Sequence, residues 1–224
     1  MKRTRTALRI LILATVVAIP SYGETVTSLA FDKAGWDASK WILVKSPRWD
    51  HFGTWVQETG HIRNTVPEGV SAEELLSKRA KETYSSMVYH DKVSGQVTIR
   101  ATMAFDHRMA PLIVLAPELG KDARERPEYR EHFEVVLFDE GVNVWHHTYR
   151  NGKPSWHKAA YARFPLKPNT PYTLLVRKTD RALHIEVDGH VFGYLDDSLP
   201  DTFYAGITGC EGVNRFYDFS LITE

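Results

Sequence analysis

The feature that most constrains this chain is alternation, renewed after a turn every eight to twelve residues from about residue 95 onward. In "GQVTIRATMAF", Val97, Ile99, Ala101, Met103 and Phe105 share one parity, and Gln96, Thr98, Arg100 and Thr102 the other. Successive side chains of a strand point to opposite faces, so such a segment buries one face and leaves the other polar. The runs are separated by Asp139-Glu140-Gly141, Asn151-Gly152, Asp180-Arg181 and Asp188-Gly189, residue pairs that accept the backbone of tight hairpins. "APLIVLAPEL" is apolar throughout and suits a strand covered on both sides. A succession of hairpins with this spacing predicts an all-β antiparallel sandwich of roughly a dozen strands. No longer period repeats, which excludes a solenoid or propeller. One interruption is helical: Ser71 and Glu74 form a capping box ahead of Leu75, Leu76 and Ala80, predicting a short helix near 71–82. The charged stretch 120–132 reads as a surface loop, with a loop overhanging a binding cleft as the alternative.

The ends bound the compartment and the partners. Lys2, Arg3, Arg5 and Arg9 precede an apolar run over 10–19 and the small-residue exit Ser21-Tyr22-Gly23, the pattern of a secretory leader over 1–23. The run falls short of the roughly 20 residues that span a bilayer core. Residues 24–224 are expected to form one domain, exported to the periplasm or the medium and monomeric. Four of the chain's 28 basic residues and none of its 28 acidic ones lie in 1–23. The remainder therefore carries 28 − 4 = 24 basic against 28 acidic groups. A net charge of −4 argues against nucleic acid and anionic membrane surfaces as partners. Cys210 is the sole cysteine, so no intrachain disulfide forms, and its apolar neighbours predict a small buried residue. Trp36, Trp41, Trp49 and Trp55 recur at a spacing that suits no cofactor motif and read as core and rim aromatics.

"KPNTPYTLLVRKTDRALHIEVDGHVFGYLDD" followed by "YAGITGCEGVNRFYDFSL" resembles the C-terminal half of the concanavalin A-like lectin/glucanase jelly rolls. The likeness is greatest to a bacterial secreted branch with laminin-G-like domains and 3-keto-disaccharide hydrolases. "WVQETGHIRN" and "VSGQVTIRATMAF" fit its opening strands, so the resemblance spans roughly residues 30–222. It implies a jelly-roll β-sandwich whose concave face, crossed by loops, binds poly- or oligosaccharide. The glucanase motif Glu-x-Asp-x-x-Glu is absent, as are the alginate-lyase signatures. One fold supports lectins, hydrolases, lyases and adhesion modules, so activity must be argued from the site.

That site is sought in "EHFEVVLFDEGVNVWHHTY". With Phe133, Val135 and Leu137 turned to the core, His132 and Glu134 face away. With Val142 and Val144 inward, Asn143, Trp145, His147 and Tyr149 share the opposite face. Aromatic rings stack on pyranose faces and planar polar groups bond hydroxyls, so these residues, with Arg100 and Trp156, are the candidate sugar contacts. The competing reading makes the aromatics covering for the second side of the sheet. Glu134 and His147 are the candidate proton-transfer pair should the protein be an enzyme. His146-His147 with Trp156-His157 lacks an acidic ligand at fixed spacing, so no metal and no cofactor are expected. Three function classes stay open: glycan-binding domain, polysaccharide-processing hydrolase or lyase, and structural or adhesion module.

Overall fold

In a computed structural model, residues 25–32 and 37–224 are described. The expected leader over 1–23 and Trp36 lie outside these residues. In chain order the strands are β1 (Thr25–Ala30), β2 (Trp41–Leu43), β3 (Trp55–Glu58), β4 (His61–Asn64), β5 (Tyr84–Tyr89) and β6 (Val93–Ser94). There follow β7 (Val97–Phe105), β8 (Met109–Lys121), β9 (Pro127–Phe138), β10 (Gly141–Arg150) and β11 (Lys153–Arg163). The last five are β12 (Tyr172–Thr179), β13 (Ala182–Val187), β14 (His190–Leu195), β15 (Thr202–Cys210) and β16 (Asn214–Thr223). Among the described residues they form two eight-stranded antiparallel sheets. The first runs β14-β13-β12-β7-β16-β4-β3, with β1 also on β16. The second runs β11-β10-β9-β8-β15-β5-β2, with β6 also on β15.

The alternation does the sorting. Ile99, Ala101, Met103 and Phe105 of β7, Phe133, Val135 and Leu137 of β9, Val142 and Val144 of β10, and Phe216 and Phe219 of β16 are all fully buried between the sheets. Two adjacent turn residues with positive φ close the β10–β11 hairpin (Asn151 at 52°, Gly152 at 73°) and the β13–β14 hairpin (Asp188 at 51°, Gly189 at 76°). That pair of left-handed residues matches the right-handed twist of the flanking strands.

The second sheet is also covered on its outer side, as the unbroken apolar run of β8 requires. Leu112, Val114 and Ala116 of β8 point outward. They join Val44, Tyr84, Val88, Tyr129, Val136 and Cys210 in a second buried cluster. Its lid is the chain leaving β2: Val44 donates its N–H to the Ser86 carbonyl, and Lys45 exchanges backbone hydrogen bonds with Pro127 and Tyr129.

The helix expectation holds over a shorter span, and one expectation is corrected. The helix, α1 (Ala72–Leu76), has the capping box but stops after five residues, and a separate 3-10 turn occupies Ala80–Glu82. Leu75 is its one buried residue, and the polar Ser77-Lys78-Arg79 that follows offers no apolar stripe to hold a second turn. The stretch 120–132 is mostly strand: β8 runs to Lys121 and β9 begins at Pro127. Its charges are tolerated because they pair. Glu128 is buried between Lys45 (3.1 Å) and Arg130 (2.5 Å).

Candidate functional site

The site grows from the pairing of β9 with β10. His132 lies opposite His147 and Glu134 opposite Trp145. Being two apart on β9, His132 and Glu134 emerge on the same outer face as their partners. Nε2 of His132 is 3.1 Å from Oε1 of Glu134. Nε2 of His147 is 3.0 Å from Oε2, yet it is not aligned for a hydrogen bond and has no other partner among the described residues. The two imidazoles stack at 4.6 Å and 11°, and Tyr129 stacks on the far side of His132 at 4.3 Å. His132, Glu134 and His147 are 2%, 7% and 4% exposed, so this polar knot is inside the protein although it stands on the outer face of a sheet. Tyr84 reaches Oε1 of Glu134 at 3.5 Å, and beneath it Ser86 links Tyr129 (2.7 Å) to Thr208 (2.6 Å).

Burial sets the charge states. It pushes the His132 pKa down to about 4, with the bond to Glu134 opposing, so the ring is neutral. Burial would raise Glu134, but the charge on His147 and the hydrogen bond from His132 outweigh it and hold the carboxyl well below its ordinary value. Burial pushes the Cys210 thiol well up, which leaves it inert as a nucleophile.

Above the knot opens a pocket of about 120 Å³. Glu134, Asn143 and Trp145 come from the sheet, Trp156 from β11, and Arg48 and Trp49 from the lid. Trp145 is half-buried and Trp156 is 45% exposed. The Arg48 guanidinium lies 4.8 Å from the Trp49 ring and 4.1 Å from that of Trp156, a cation held between two indoles. Nε of Arg48 and Oδ1 of the buried Asn143 have no hydrogen-bond partner among the described residues. Glu211, from the turn joining β15 to β16, lines the same pocket. Burial, with the nearby Glu134 charge, raises its pKa against the pull of Arg48. Two carboxyls of one pocket are thus driven in opposite directions.

His132, Glu134, Asn143, Trp145, His147 and Trp156 are therefore brought together. Tyr149 shares their face but does not line the pocket. It lines an open groove with Pro47, Asp50 and Arg130, whose guanidinium lies 5.0 Å from its ring. Arg100 is not in this assembly. It belongs to β7 of the other sheet, is exposed, and lies 3.6 Å from Asp218. Nothing in the alternation says which sheet a strand joins, so a face can be right while the sheet is wrong. His146 and His147 point to opposite faces, with His146 on Glu131 at 2.8 Å, so a grouping of His146, His147 and His157 is split. Arg48, Trp49, Tyr84 and Glu211 were not legible as site residues. Only the recurrence of tryptophans hinted at Trp49. The lid with Arg48 and the turn with Glu211 have no periodicity, and Tyr84 opens β5, a strand that the sequence pattern left unassigned.

No family model matches the sequence, and no curated protein matches it significantly. Solved structures do resemble it. The carbohydrate binding module CBM66 from Bacillus subtilis aligns with 14% identity over 80% of this chain and 92% of its own, at a TM-score of 0.55. The kappa-carrageenase from Pseudoalteromonas carrageenovora, solved with an oligotetrasaccharide of kappa-carrageenan, aligns with 12% identity over 94% of this chain and 99% of its own, at 0.57. The VIP36 exoplasmic/lumenal domain in its Ca2+/Man3GlcNAc-bound form shares 13% identity, with 88% of each chain covered, at 0.57. With two packed antiparallel sheets in this order, the chain has the concanavalin A-like lectin/glucanase jelly-roll fold.

Proposed function

We propose that this protein is an exported, monomeric carbohydrate-recognising jelly roll that seats a sugar of a poly- or oligosaccharide in the pocket between Trp145, Trp156 and Arg48. The observation that carries the reading is the composition of that pocket. Indole surface borders it, while buried polar atoms of two lining residues, Oδ1 of Asn143 and Nε of Arg48, have no partner among the described residues. An unpaired buried polar atom is costly unless something completes its hydrogen bonds, and a hydroxyl-rich ligand with apolar ring faces supplies both kinds of contact. The similar structures named above include a carbohydrate-binding module, a carrageenase with its oligosaccharide and a glycan-bound lumenal domain, which supports the same reading.

One observation favours a second reading, turnover of the bound glycan. Glu134, ionised, and Glu211, raised, line one pocket, and environments that drive a pair of carboxyls apart in this way suit a base and an acid. His147, 3.0 Å from Glu134 but out of line with it, could share a proton only after its ring turned. A glycan array probed with the chain from residue 24 onward tests the first reading. Reducing-end and unsaturated-product assays on the bound glycans test the second. Absence of binding to every acidic and neutral glycan on the array would reject both.

A further inference from the structure

We infer that His132, Glu134 and His147 hold a divalent first-row transition-metal ion. The inference stands on ligand geometry alone and does not depend on what the pocket above binds. His132 and Glu134 alternate on β9 and His147 is cross-strand from His132, so three ligand side chains leave one face of two paired strands and converge. One donor atom from each lies within 4.8 Å of the others. Nε2 of His132 stands 3.1 Å from Oε1 of Glu134 and Nε2 of His147 3.0 Å from Oε2, so the carboxylate offers an oxygen to each imidazole. Ligands about 2.0–2.2 Å from a shared ion and roughly at right angles or tetrahedral about it stand about 3–3.5 Å apart.

The decisive detail is the Nε2 atom of His147. It is buried, aimed at the carboxylate, and too far out of line to donate to it. A hydrogen-bonded His–Glu pair would have aligned that N–H, since its desolvation is otherwise uncompensated. A lone pair directed at a point shared with the carboxylate explains the position. The Nδ1 atoms of both histidines are likewise buried without a protein partner among the described residues. Beside both rings, between Pro47 and Tyr129, lies a cavity of about 10 Å³. That is the size of one water, which would accept the Nδ1–H that a metal-bound imidazole carries.

Two imidazoles and one carboxylate form a nitrogen-rich, borderline set that suits Zn²⁺, Co²⁺, Mn²⁺ or Fe²⁺. Ca²⁺ and Mg²⁺ favour oxygen cages. Three protein ligands also leave coordination positions open, and Glu134 borders the pocket lined by Asn143, Trp145 and Tyr84. Such an open set is characteristic of ions that take a further ligand from solution.

The test uses untagged protein stripped with chelator, dialysed, and titrated with Zn²⁺ and Co²⁺ by calorimetry and elemental analysis. One equivalent is expected, with a rise in melting temperature reversed by chelator and a visible d–d absorption band for Co²⁺. Glu134→Gln and His147→Gln should each weaken binding at least 100-fold. Folded wild-type protein that retains less than a tenth of an equivalent and shows no band overturns the inference, as does tight binding unchanged in both variants. Should either variant fail to fold, the wild-type cobalt spectrum and stoichiometry decide alone. Metal uptake without glycan binding rejects only the sugar reading. Glycan binding by metal-free protein that takes up no ion rejects only this one.

Discussion

Replacing Trp145 by Ala separates a binding platform from sheet filling, and the structure gives both magnitudes. The indole is half-buried: it packs against the buried cluster that includes Leu112, Val136 and Cys210, and it borders the pocket. Truncating a fully buried Trp costs about 3–5 kcal/mol, so half of that, about 1.5–2.5 kcal/mol, is expected here. A domain stable by roughly 5–15 kcal/mol remains folded after such a loss. Binding should suffer more in proportion. A pyranose face laid on the indole removes on the order of 100 Å² of apolar surface from water, or about 2.5 kcal/mol at 25 cal/mol/Å². That corresponds to a roughly 70-fold loss of affinity. Urea unfolding measures the first quantity, and calorimetry with a glycan identified on the array measures the second. Affinity within about threefold of wild type would show that the indole is not the platform. A stability loss beyond about 4 kcal/mol would show that it is structural, and either result refutes the reasoning.

Leu137→Ala, at a fully buried position between the sheets, should cost about 2–5 kcal/mol and lower the urea midpoint with the slope unchanged. A loss below about 1 kcal/mol would mean that the face assignment of β9 is displaced by one residue. Arg100→Ala should leave glycan affinity unchanged, because that side chain stands on the other sheet beside Asp218. A tenfold loss in the same calorimetric titration would contradict this placement. Glu211→Gln should stabilise metal-free protein at pH 7 and lose that advantage as the pH falls towards 4. The folded state raises this carboxyl above its unfolded value, so the wild type binds a proton more tightly when folded and loses stability as pH rises through the folded pKa. Gln escapes that loss, and melting curves between pH 4 and 7 for both proteins should converge at the acid end.

The layered β architecture, the faces of its strands and the positions of its hairpins could be read from residue order alone. Each rests on something local: the two-residue period of a strand, and turn residues that tolerate positive φ. The outward set Glu134, Asn143, Trp145 and His147 was legible for the same reason, since facing is a property of parity. Everything that depends on one segment meeting another distant in sequence had to wait for the packed chain. Parity cannot say which sheet β7 joins, so Arg100 was placed with the wrong company. Nor can it show that residues 44–49 fold back over the second sheet and bring Arg48 and Trp49 above Trp145 and Trp156. The charge of residues 120–132 suggested a loop because the pairing of Glu128 with Lys45, 83 residues away, is invisible in composition. The convergence of His132, Glu134 and His147 needed the cross-strand register of β9 and β10. A hairpin pattern proposes that register, and the packed sheet alone sets it, because a slip of one residue in either strand would turn that strand's share of the three into the core and break the cluster.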